Sequence, residues 1–106
     1  MITFQEHVAA IEAELKNAKE KHPDFPKKIT DSPAKDWGWK EEVFKERNDI
    51  AERKKNEKWL ADNIIGEEFA EAFHAAAKGD KENAKKEFYQ VIAVALRIIE
   101  TLDEGE

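Results

Sequence analysis

Proline marks where this chain cannot be regular, and it marks a single place. All three prolines fall between residues 23 and 33, in the stretch HPDFPKKITDSP, and the chain holds only four glycines. Proline breaks helices and is shut out of central strands, so the long stretch that follows is free to be continuous secondary structure. That stretch and the N-terminal one are rich in Ala, Glu, Lys, Leu and Ile, a mixture that favours helix over strand. The expected fold is all-α, with one irregular loop.

Apolar spacing places the helices. Phe4, Val8, Ile11, Leu15 and Ala18 make one narrow stripe and predict a helix over residues 4–20. Thr3 is its expected N-cap, Glu6 completes a capping box, and Pro23 stops it. Ser32–Pro33 reads as a cap followed by a first-turn proline. Trp37, Trp39, Val43 and Phe44 open the next segment. From Lys45 to Lys58 the sequence is KERNDIAERKKNEK, charged at ten of 14 positions. A helix that polar is expected to project into solvent or to rest on ion pairs such as Asp49–Arg53.

Residues 59–78 carry a face of Ile65, Phe69, Ala72, Phe73 and Ala76. Gly79 reads as the stop and Asp80 as the cap of a last helix over 81–102. Its face is wide: Phe88, Val91, Ile92, Ala95, Ile98, Ile99 and Leu102. The short joint predicts an antiparallel αα-hairpin over 60–102, within a single domain spanning 1–106. One antiparallel neighbour cannot cover so wide a stripe. A helical bundle completed by oligomerisation, as a homodimer or homotetramer, is therefore expected.

Composition removes several classes of function. Acidic residues number 24 against 18 Lys and Arg, a net charge of -6, which disfavours nucleic acid as a partner. An anionic substrate stays open, because a bound divalent cation inverts the local field. Without cysteine there is no disulfide, zinc ribbon or thiol catalysis. The N-terminus has acidic residues early and no apolar h-region, and no apolar run nears the roughly 18 residues of a membrane span. A soluble cytoplasmic protein, with no membrane partner, is the expectation.

The candidate chemistry lies on the hairpin. Glu68 and Glu71 are three apart, on one side of their helix at the edge of its apolar face, with Glu67 turned further into solvent. Glu87 flanks the face of the return helix, and Gln90 follows three residues on. Folding the hairpin brings these oxygen ligands toward one edge of the seam, a set suited to magnesium, with manganese as the alternative. The same spacing recurs at Glu46–Asp49, Asp49–Glu52 and Glu100–Asp103, so spacing alone also fits an ordinary solvated surface. Glu71 with His74 forms one E-x-x-H, the element of ferritin-like iron carboxylate bundles, though His74 falls on the polar side of its helix. His7 and His22 read as surface residues. Lys21, Lys85, Lys86 and Arg97 are either phosphate contacts or ordinary solvated cations.

The run GEEFAEAFHAA, then GDKEN, then KEFYQVIAVALRIIE, resembles the MazG-like branch of the all-α nucleoside triphosphate pyrophosphohydrolases. That superfamily carries E-E-x-x-E on one helix and E-x-x-D on the next. Glu67, Glu68 and Glu71 match the first motif and Glu87 opens the second, whose Asp is Gln90 here. The match covers residues 60–102 well, 6–26 loosely and 30–58 not at all. The resemblance implies hydrolysis of a nucleoside triphosphate to the monophosphate and pyrophosphate, with house-cleaning of non-standard nucleotides as one family role. It implies magnesium held by Glu68, Glu71 and Glu87, with Gln90 as a neutral fourth oxygen. Glu67 or Glu71 would be the catalytic carboxylate that orients or deprotonates the attacking water. Phe25, Trp37, Trp39 and Trp59 would be either the wall for the base or plain packing. Loss of the Asp also leaves open a catalytically weakened binding or regulatory protein.

Overall fold

The computed structural model describes residues 2–53 and 60–104. Four α-helices account for the regular structure, with no strand among the described residues: α1 (Phe4–Lys21), α2 (Ala34–Arg53), α3 (Ala61–Ala77) and α4 (Lys81–Glu104). Trp59, and Lys54–Lys58 of the charged stretch, lie outside the described residues. No described helix is long and apolar enough to cross a membrane.

The helix ends follow local chemistry. Thr3 Oγ1 accepts from Glu6 N at 3.2 Å and donates to the Glu6 carboxylate, closing the N-terminus of α1. Gly79 takes a φ of 80°, the left-handed conformation that ends α3. Asp80 caps α4, its Oδ1 accepting from Asn83 N at 3.2 Å and its carbonyl from Ala84 N at 2.9 Å. At the start of α2 the anchoring hydroxyl is Thr30 rather than Ser32. Thr30 Oγ1 accepts from Ser32 N at 3.2 Å and from Trp37 Nε1 at 3.0 Å.

α3 is the central helix, packed along α2 on one flank and along α4 on the other. The polar α2 is therefore a full partner, not a weakly held projection. Its contact uses small and aromatic residues instead of a leucine stripe. A Cβ on Gly66 of α3 would come within 2.5 Å of Phe44 Cε1, so the Phe44 ring sits where a side chain at 66 would be. Ala51 is buried nearby. Trp37 stacks on Phe73 at 4.8 Å, and Phe73 meets Phe88 edge-on at 5.1 Å, tying all three helices together. The expected Asp49–Arg53 ion pair is replaced by Arg53 Nε donating to the Asp49 carbonyl at 3.3 Å.

The core is thin. Among the described residues its buried apolar members are Ala51, Ala70, Ala72, Ala75, Ala84 and Val91, and no large side chain is wholly enclosed. α1 stands apart and touches α4 near the latter's C-terminus. There His7 Nε2 lies 2.9 Å from Asp103 Oδ2, and neither atom has another polar partner among the described residues. His7 is buried, contrary to its expected surface position. With α1 held at one end, the radius of gyration is 15.9 Å. A compact chain of this length would have about 13 Å.

Candidate metal centre

Gly66 lets α2 and α3 approach closely, and the hairpin turn brings α4 back along α3. The carboxylates on the next turns of α3 are thereby enclosed from both sides. One oxygen each from Glu67, Glu68 and Glu71 lies within 4.8 Å of the others, and all three residues are half-buried. From α4, Glu87 shares a side-chain hydrogen bond with Glu71. Gln90 fits this hydrogen-bond pattern with its amide nitrogen turned inward, donating to Glu68 Oε2 at 2.8 Å and to Glu87 Oε2 at 3.1 Å. The sequence-derived set thus meets across one seam. Gln90 acts there as a donor bridging two carboxylates, and its amide must turn over to offer its oxygen to an ion.

Electrostatics record the crowding. Burial pushes the Glu71 carboxyl up to about 8, helped by the hydrogen bond to Glu87 and by the charges of Glu68, Glu87 and Glu67. Burial likewise raises Glu68, with the charges of Glu87 and Glu67 adding to it. Several carboxylates so close cannot all ionise cheaply, and one keeps its proton at neutral pH.

Glu67 is not turned into solvent. Asn48 of α2 donates from Nδ2 to Glu67 Oε1 at 3.0 Å, and from the same nitrogen to the Asn63 carbonyl at 3.0 Å. His74 is not solvated either. Its Nδ1 lies 3.0 Å from Glu41 Oε1, and its ring packs against Gly38. Both corrections have one cause: α2 covers the flank of α3 that carries Glu67 and His74. Asn48 and Glu41 sit in a segment that the sequence reading takes as a helix but gives no functional role. The pattern that would expose them is the set of small residues, Gly38, Ala51 and Gly66, which marks the α2–α3 crossing.

The carboxylates open into two cavities. One, of about 190 Å³, is lined by Asn48, Asp49, Glu52, Glu67 and Glu68. The other, of about 350 Å³, is lined by Glu41, Glu71, His74, Lys78, Asn83 and Glu87. Among the described residues, Lys78 lines the second of these cavities, while Lys21, Lys85, Lys86 and Arg97 line neither. Lys85 lines a separate cavity of about 780 Å³ at the hairpin turn, which shares only Lys78 with the second. Of the aromatic candidates, Trp37 is engaged in the α2–α3 stack, while Phe25 and Trp39 are exposed and line neither carboxylate cavity.

Comparison with protein-family models, with curated proteins and with solved structures finds no match to this chain.

Proposed function

We propose that this chain is a magnesium-dependent nucleoside triphosphate pyrophosphohydrolase of the MazG-like kind. The observation that carries the reading is the meeting of Glu67, Glu68 and Glu71 with Glu87 of the return helix. The sequence motifs that resemble the family fall on these residues. The donor set is all hard oxygen, half-buried and crowded enough to hold a proton, which fits magnesium or manganese. Glu68, Glu71 and Glu87 would be the ligands, and loading would displace the proton on Glu71.

A cation held by Glu68, Glu71 and Glu87 would supply positive charge to the phosphate oxygens. The chain's own residues do the rest. Glu67, fixed by Asn48, orients a water and takes its proton. That water is added across the α–β anhydride, leaving a nucleoside monophosphate and pyrophosphate. Lys78 borders the second cavity, beside Glu71 and Glu87, and offers a positive charge to the departing pyrophosphate.

A panel of nucleoside triphosphates, assayed for pyrophosphate release with magnesium or manganese, tests this directly. At least one triphosphate is expected to turn over, and Glu87→Ala is expected to lose about 100-fold or more while keeping its helical circular dichroism. Undiminished activity in that variant would exclude the site. One observation favours a second reading: Gln90 supplies an amide where the resembled motif has a carboxylate. Magnesium binding without pyrophosphate release from any triphosphate would favour a binding or regulatory protein. An oxidised-iron absorbance would favour the ferritin-like alternative.

A further inference from the structure

The cavity of about 780 Å³ at the hairpin turn is out of character with the rest of the chain. The protein carries 24 acidic residues against 18 Lys and Arg. The cavity reverses that balance. Lys27, Lys28, Lys78, Lys81 and Lys85 border it, and among the described residues Asp31 is the one acid in its wall. Asp31 is taken up by an ion pair with Lys28. Lys27, Lys78, Lys81 and Lys85 have no ion-pair partner among the described residues. These four come from the loop before α2, the end of α3 and the start of α4, so no single helix period puts them together. Like charges gathered from three stretches of chain repel one another, and an anion between them relieves that repulsion.

Between the lysines the wall is apolar, with Ile29, Pro33, Ala84 and Phe88. Ile29 is 51% exposed, an apolar side chain left uncovered. Phe88 is held edge-on by Phe73 at 5.1 Å. The loop that carries Lys27 to Pro33 is pinned in place. Thr30 Oγ1 accepts from Trp37 Nε1 and Ser32 N, and the Pro33 carbonyl accepts from Asp36 N at 3.0 Å. The volume falls in the range of sites for small organic molecules, about 300–1,000 Å³.

We propose that this cavity is a second ligand site, for an organic polyphosphate bound without a metal ion, its phosphates on the lysines and its apolar part against Ile29 and Phe88. Several unpaired lysines favour a ligand with several charges over a single carboxylate. The uncovered Ile29 beside Phe88 favours an organic body over inorganic phosphate. The carboxylate cluster cannot hold such a ligand unaided, because Glu67, Glu68, Glu71 and Glu87 repel phosphate until a cation intervenes. Charge therefore separates the two sites, and the lysine cavity shares only Lys78 with the one that Glu71 and Glu87 line.

Titration calorimetry of the whole chain in excess EDTA tests this, with ATP as the probe. ATP is expected to bind saturably, at one site per chain. Tripolyphosphate has the charge without the body, and adenosine has the body without the charge. Each is expected to bind at least about tenfold more weakly than ATP, the scale of losing one favourable contact to a charged or apolar group. Lys81 and Lys85 are exposed on a helix that alanine favours, so Lys81→Ala and Lys85→Ala are expected to keep their helicity. Each is expected to lose about tenfold in ATP affinity, the worth of one hydrogen bond to a charged group. Glu87→Ala is expected to bind ATP in EDTA at least as well as the wild type, whatever becomes of pyrophosphate release, so this site and the proposed cation site fail separately. No saturable binding of ATP, unchanged affinity in both lysine variants, loss of binding in Glu87→Ala, or tripolyphosphate or adenosine binding as tightly as ATP would each overturn the proposal.

Discussion

A carboxyl that holds its proton up to about pH 8 makes the metal-free protein respond to pH in a definite direction. The ordinary value for Glu71 is 4.5, so between 4.5 and about 8 the folded chain keeps a proton that the unfolded chain has released. Stability falls as pH rises through that window, because the unfolded state binds fewer protons there. Glu71→Gln carries a neutral amide at every pH and lacks this slope. Melted in a chelator, the variant is expected to gain on the wild type from pH 5 to pH 8, and magnesium at pH 8 is expected to narrow the gap. An equal difference in Tm at both pH values would show that Glu71 is not proton-laden in the fold. At this scale the sequence was legible where spacing suffices: Glu68, Glu71 and Glu87 converge as their positions around the helices require. It was illegible for Glu67 and His74, whose hydrogen bonds come from Asn48 and Glu41, residues distant in sequence and set in a stretch with no apolar period.

The helices themselves differ in how openly they are written. α1, α3 and α4 announce themselves through apolar stripes and through Thr3, Gly79 and Asp80 at their ends. α2 does not, because what joins it to α3 is the absence of a side chain at Gly66 under the Phe44 ring. Glycine in a helix reads as a weakness in sequence, whereas here it sets the distance between two helices. Gly66→Ala tests that account. The added methyl would lie 2.5 Å from Phe44 Cε1, so the ring or the crossing must shift. Denaturant unfolding is expected to show a loss of about 1–3 kcal/mol. A stability gain, as the helix propensity of alanine alone would give, would contradict it. Asn48 lies one turn beyond Phe44 on α2, so the same change also disturbs the hold on Glu67.

As a whole, the molecule is a three-helix slab with a fourth helix attached at one end. The apolar surface of α4 is wider than α3 can cover, which was readable in the sequence as a need for further burial. The placement of α1 was not, since it depends on the buried contact of His7 with Asp103. Glu67, Glu68, Glu71 and Glu87, the residues of the proposed cation site, all come from α3 and α4 of one chain. The most direct test of the proposed cation site is Mn²⁺ binding followed by electron paramagnetic resonance, comparing the wild type with Glu68→Ala. Outer partners of metal ligands are worth about 10–100-fold in affinity, so removing a ligand is expected to cost at least about tenfold. The expected result is saturable binding by the wild type, weakened by that factor or more in Glu68→Ala. Equal affinity in the two proteins, or no saturable binding by either, would contradict it.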